Sequence, residues 1–293
     1  MPYAAGYRAL PVADPGLDLT FPLNVFYPTA TPGQPTSVGL YQLVVAVAAP
    51  VAAGPWPVVL LSHGTGSSGL VHRNLALFLA RQGYVVGMPE HPHNNRDDNA
   101  WANTRQNLVA RPHHLQLALE VLLANAALAP ALRSQAVALI GHSLGAYTSL
   151  ALAGGQPWSR PVDSPDGVTH AIPVPAANAQ VRALILLAPA VPWFAPAGAL
   201  ANVRLPILLV VSGQDEFLPP AHAEIIRRGV PDPDQLDFRL IENAGHYSFL
   251  SPFPPARVSP AFPPSQDPPG FDRVRFHEVL YEEVLAFLRR TVG

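Results

Sequence analysis

The sequence predicts an α/β fold built on a doubly wound, mostly parallel sheet, with antiparallel strands along its N-terminal edge. Three observations carry that expectation. Short apolar runs of strand length recur along the chain and do not alternate with polar residues, as in strands buried on both faces. Stretches with helical periodicity sit between most of them, the order that builds parallel sheets. The first fifty residues differ, because their strand-like runs are separated only by Pro, Gly, Ser and Thr turns.

In chain order, segments 17–27 and 40–47 read as the antiparallel edge strands. Val58-Val59-Leu60-Leu61 is the first buried parallel strand. A helix over 71–82 follows, with Leu75, Phe78 and Leu79 on one face and Gly83 as its stop. Further strands are expected over 84–88, 137–140, 183–187, 207–211 and 236–241. Helices are expected over 113–125, after residue 145, over 220–228 and over about 272–290; the last places Phe276, Leu280, Val284, Phe287 and Leu288 on one stripe. Two segments resist assignment. Residues 154–180 and 251–271 are long and rich in proline, yet carry Trp158, Phe253 and Phe262. Within a single domain spanning 1–293 they are candidate lid or pocket-wall insertions.

Composition removes several classes of function. The net charge of −2 points neither to nucleic acid nor to an anionic membrane as partner. All basic residues are arginine, so Schiff-base chemistry and a phosphate-binding P-loop lysine are excluded. With no cysteine, thiolate catalysis, disulfides and cysteine metal sites are excluded too. Charged residues make up 13% against a usual figure of about 25%, so the surface is weakly charged. The longest apolar run, 43–53, is too short to span a membrane and contains Pro50. The N-terminus lacks a basic n-region and an apolar h-region, so the sequence as written predicts a cytoplasmic protein. A leader removed beforehand would make it secreted or periplasmic.

The chemistry centres on Gly141-His142-Ser143-Leu144-Gly145. An apolar run precedes this pentapeptide and a helical run follows it, the context that lifts a serine hydroxyl out on a sharp turn. A serine hydroxyl is a weak nucleophile at neutral pH and needs a base, itself oriented by an acid. In this architecture the order along the chain is Ser, Asp or Glu, then His. Asp215 follows the run 207–211, and His246 follows the run 236–241. Asp215 is expected to be the acid in preference to Glu216. The anionic intermediate of acyl transfer needs N–H donors. One is expected from Leu144, the residue after the nucleophile. The other is expected from Thr65, in the turn Ser62-His63-Gly64-Thr65-Gly66.

These segments, with Gly83-Tyr84-Val85-Val86, Glu90-His91-Pro92, Gly213-Gln214-Asp215 and Gly245-His246, resemble α/β-hydrolase-fold serine esterases. Tyr27-Pro28 and Pro268-Pro269-Gly270-Phe271-Asp272-Arg273 add a resemblance to the predicted dienelactone-hydrolase branch, which is similar to plasma-type platelet-activating-factor acetylhydrolases. That resemblance implies ester hydrolysis without a cofactor. Two departures stand out. Dienelactone hydrolases use a cysteine nucleophile, and this chain has none. In the acetylhydrolases the acid follows the strand after the nucleophile's helix, where this chain reads Leu187-Ala188-Pro189-Ala190 without a carboxylate.

The expected activity is carboxylic ester hydrolysis through an acyl-serine, with Ser143, Asp215 and His246 catalytic and short-acyl, aromatic-diester or polyester substrates in view. Acyl transfer or perhydrolysis on the same residues is the alternative within enzymes; a catalytically silent binding protein is the alternative outside them. His63, His142, Trp158, Trp193, Phe217, Tyr247 and Phe253 are candidate pocket residues. His91, His93, Asp97 and Asp98, with His113 and His114, match no metal-ligand spacing, so no metal is expected. The partner is a small-molecule or polymeric ester, and the sequence leaves the oligomeric state open.

Overall fold

The computed structural model describes residues 3–293. One ten-stranded sheet runs through the molecule. Its strands are β1 (Ala4–Asp14), β2 (Leu19–Thr29), β3 (Gln34–Val38), β4 (Tyr41–Val47), β5 (Trp56–Ser62), β6 (Val85–Pro89), β7 (Leu132–His142), β8 (Val181–Leu187), β9 (Ile207–Ser212) and β10 (Leu236–Ile241), in the spatial order β10-β9-β8-β7-β5-β6-β2-β1-β4-β3. The strands from β5 to β10 are all parallel. At the N-terminal edge β2 pairs antiparallel with β6, β1 with β2, and β3 with β4. That edge is mixed in one place, because β1 also meets β4 in parallel over Gly6–Ala46 and Tyr7–Val47. β1 and β3 were not foreseen. β1 carries polar and glycine residues among its apolar ones, which hides the strand pattern.

The helices are α1 (Arg73–Arg81), α2 (Arg105–Ala124), α3 (Leu144–Leu152), α4 (Ala221–Gly229) and α5 (Arg273–Thr291). They cover both faces, and the strands show it residue by residue. Val58, Leu60, Leu139, Leu184 and Leu209 pack with Leu119 of α2, Leu150 of α3 and Ile226 of α4. The alternate residues Val59, Leu61, Ile140, Ile185 and Val210 pack with Leu75 of α1 and Leu280 and Val284 of α5. Period-2 side-chain direction thus divides each uninterrupted apolar run between two cores.

α2 begins eight residues before the expected start at 113 and runs through Pro112. Thr104 caps it by accepting from the Asn107 N–H at 3.2 Å. Proline has no N–H, so the Leu108 carbonyl loses its intrahelical donor. The Tyr147 hydroxyl of α3 fills that vacancy, donating to Leu108 O at 2.8 Å from a fully buried position. A proline that would ordinarily end a helix is thereby built into one. Tyr147→Phe would leave this carbonyl buried and unpaired, a cost of about 1–3 kcal/mol. Thermal or urea unfolding should show that loss with the native circular dichroism retained; an unchanged stability would contradict the role given to the hydroxyl.

Candidate active site

β7 delivers the serine. Ser143 joins β7 to α3 at φ 53° and ψ −121°, a strained conformation for a residue with a side chain. The turn closes only because its two glycines lack a Cβ. At Gly141 a Cβ would lie 2.2 Å from the Gly145 carbonyl oxygen, and at Gly145 one would lie 1.9 Å from the Ser62 carbonyl oxygen at the end of β5. The first turn of α3 therefore rests against the start of the Ser62–Gly66 turn. Gly64 continues this contact, because a Cβ there would stand 3.1 Å from the Ser143 Cβ.

The three residues expected from the sequence converge. His246 Nε2 lies 3.0 Å from Ser143 Oγ, and His246 Nδ1 lies 2.8 Å from Asp215 Oδ2. The His246 and Asp215 side chains are 6% and 5% exposed, so little water competes for this line of contacts. Both Asp215 oxygens are held: Ser212 Oγ donates to Oδ2 at 3.0 Å, and the Phe217 and Leu218 N–H groups donate to Oδ1 at 3.0 and 2.9 Å. Burial pushes the Asp215 carboxyl up, but the His246 contact and these two N–H donors outweigh it and hold it below its ordinary value. Glu216 is exposed and takes the His246 backbone N–H at 3.4 Å, not the ring. The imidazole is thus oriented by Asp215.

The Thr65 and Leu144 N–H groups have no protein acceptor among the described residues, and both residues line the cavity beside Ser143. Beneath the turn lies a polar network that sequence reading missed. Arg111 of α2 is fully buried, with no carboxylate paired to it among the described residues. It donates to Asn94 Oδ1 at 2.7 Å, Thr148 Oγ1 at 3.0 Å, Ser62 Oγ at 3.2 Å and the His63 carbonyl. Asn94 in turn donates to Thr65 Oγ1 at 2.7 Å. The arginine therefore holds the turn from below at Ser62, His63 and, through Asn94, Thr65. Burial lowers it to about 9, so it remains cationic at neutral pH. The signal was weak: Arg111 stands before a proline, in a stretch the sequence places outside the helix.

A cavity of about 580 Å³ opens over Ser143. His142, Trp193, Phe217, Tyr247 and Phe253 line it as expected. Two candidates do not. His63 is fully buried below the turn, donating from Nδ1 to the Gly64 carbonyl at 2.7 Å and accepting the His91 N–H on Nε2 at 3.1 Å. Trp158 packs against the core instead, its backbone N–H tied to the Trp193 carbonyl at 2.8 Å. The two proline-rich segments do reach the cavity, through Val162 and Ile172 in one and Phe253 and Phe262 in the other. The histidines weighed as metal ligands scatter. His91 turns inward to Ser62 Oγ at 2.8 Å, whereas His93 pairs with Asp98 at 2.6 Å near the surface.

Topology and overall shape together give the chain the α/β-hydrolase fold. Among solved structures it resembles the ferulic acid esterase from Streptomyces cinnamoneus, with 19% identity, a TM-score of 0.70, and coverage of 100% of this chain and 91% of that one. A family model named chlorophyllase matches residues 34–162, less than half of the chain. That match includes the Ser62–Gly66 turn and the Ser143 pentapeptide and stops short of Asp215 and His246. No curated protein matches the chain.

Burial also makes the site acid-sensitive. Desolvation lowers His63, His114 and His142 to about 3 and His277 to about 4, and holds His72 and His91 well below their ordinary value. In the unfolded chain each takes up a proton near about 6.5. Unfolding below that pH therefore binds protons, so stability is full above about 6.5 and falls as pH drops towards the folded values. Calorimetry should show Tm declining steadily from about pH 7 to about pH 4.5, with more than one proton taken up per molecule unfolded. A flat Tm across that range would contradict the neutral, buried histidines.

Proposed function

We propose that this protein is a serine carboxylesterase that hydrolyses carboxylic esters through an acyl-serine intermediate. The observation that carries the reading is the unbroken line Asp215–His246–Ser143, ending in a cavity beside two unsatisfied N–H groups. His246 takes the Ser143 proton as Oγ attacks the ester carbonyl, and returns it to the leaving alkoxide. Asp215 keeps the proton on Nδ1, so that Nε2 faces the serine, and stabilises the imidazolium as it forms. The Leu144 and Thr65 N–H groups receive the oxyanion, each contributing about 3 kcal/mol to the barrier reduction. Water then attacks the acyl-enzyme with His246 as base. Apart from the ester and that water, every group in this cycle belongs to the chain.

The solved neighbour's name, ferulic acid esterase, supports esters as the substrate class. The apolar lining of Trp193, Phe217, Tyr247 and Phe253 supports an apolar acyl or alcohol part. The dienelactone-hydrolase and acetylhydrolase resemblance belongs to the same reading at a finer level, with Asp215 as the acid in place of a residue after β8.

A screen of p-nitrophenyl esters by acyl length tests the proposal, and Ser143→Ala should lose the activity while keeping the fold. Asp215→Asn should lower kcat by about 10⁴-fold, because the histidine loses its tautomer. Glu216→Gln should change kcat less than about threefold, since its carboxylate meets only a backbone N–H. A reversal of these two effects would reassign the acid.

A further inference from the structure

The cavity's charge is out of keeping with the chain. The protein carries a net charge of −2, yet Arg96, Arg105, Arg160 and Arg257 all line the cavity, against Asp163 as the single carboxylate there. Two of these cations are neutralised locally. Arg96 makes a paired contact with Asp97 at 2.9 and 2.7 Å, and Arg160 makes one with Asp163 at 2.6 and 2.6 Å. Arg105 and Arg257 pair with no carboxylate among the described residues. Arg105 reaches only the Ala171 carbonyl, at 3.4 Å. Arg257 has only the ring of Phe262, 5.8 Å from its centroid.

A further cation is buried against the cavity wall. Arg73 is 4% exposed, and its Nη1 has no hydrogen-bond partner. It stacks 3.6 Å over the ring of Tyr41, which lines the cavity, and gives another donor to the Pro252 carbonyl beside Phe253. Burial lowers the Arg73 guanidinium, against the Tyr41 and Tyr281 rings beside it, which raise it. Guanidiniums without a carboxylate partner at one cavity favour an anion there. Arginine also presents parallel N–H donors that suit a carboxylate or phosphate.

We propose that the cavity takes esters bearing an anionic group, carboxylate or phosphate, remote from the scissile bond, held by Arg257 and attracted by Arg105, with Arg73 adding charge from under the Tyr41 wall. The inference rests on the esterase reading and narrows it to acidic half-esters and phosphate-bearing esters. The apolar residues between the cations and Ser143 would hold the connecting chain or ring.

The test compares two substrate pairs. One is monoethyl against diethyl suberate; the other is the acetyl ester of 6-hydroxyhexyl phosphate against hexyl acetate. Wild-type kcat/KM should favour the anionic member of at least one pair, and the pair that responds identifies the anion. That preference should shrink at about 1 M salt, where screening acts within about 3 Å. Arg257→Gln should lower the anionic-to-neutral ratio about tenfold, the lower end of what a hydrogen bond to a charged group contributes, and Arg257→Lys should retain most of it. A wild-type ratio at or below one for both pairs, or a ratio unmoved in Arg257→Gln, overturns the proposal while leaving the esterase reading intact. If no ester of either pair is cleaved, the p-nitrophenyl ester screen decides the esterase reading, and calorimetric titration of Ser143→Ala with monoethyl suberate decides the anion site. Binding lost in the Ser143→Ala, Arg257→Gln double variant sustains the site, and no binding to the single variant overturns it.

Discussion

The rest of the site depends on the near-contact of two backbones: the first turn of α3 against the end of β5, possible only without a Cβ at Gly145. It sets the distance between the serine and the Ser62–Gly66 turn, which carries the Thr65 N–H. Gly141 and Gly64 extend the same constraint to either side. Once the contact is made, Ser143 has one place to go, and the strain of its positive φ is offset by packing that admits no alternative. The Ser143 N–H and carbonyl are anchored as well, to Leu187 at the end of β8 and to Ala190 beyond it. Ser143 is thus tied to three neighbouring strands at their carboxyl ends, the place where open α/β sheets form their sites.

Arg111 supplies the second constraint. A fully buried guanidinium without a carboxylate is costly, and only dense hydrogen bonding makes it tolerable. Here the acceptors are the Asn94 amide, two hydroxyls and the His63 carbonyl, which belong to the Ser62–Gly66 turn, the loop after β6, and α3. Moving any of these away would leave a buried charge short of partners. The network therefore ties the turn to the rest of the fold, and His142 does the same for the opposite loop. Its ring is neutral and buried, and donates from Nε2 to the His246 carbonyl at 3.0 Å. Preorganisation of this kind matters because donors already in place need no rearrangement when charge develops on the substrate.

Much of this was legible in the sequence. The parallel strands showed as apolar runs because burial on both faces removes alternation, and α5 showed as a stripe because one side of it stays wet. The convergence of Ser143, Asp215 and His246 was legible because each follows a strand and the chain order is restrictive. What escaped depended on partners distant in sequence. α2 passes through Pro112 because Tyr147, on another helix, replaces the lost bond. Arg111 gave only a weak sign of its role, since its acceptors come from three separate segments. Trp158 was expected in the pocket because it sits among prolines on an active-site loop. Composition could not show that its ring turns to the core, leaving Val162 and Ile172 to line the cavity from that segment.

The central claim is that Ser143 is an activated nucleophile, and covalent labelling tests it most directly. Incubation with a fluorophosphonate probe, followed by peptide mass spectrometry, should find one adduct per chain, on the peptide carrying Ser143. The adduct should be absent in Ser143→Ala and form far more slowly in Asp215→Asn. No adduct, or one on another residue, would contradict the account.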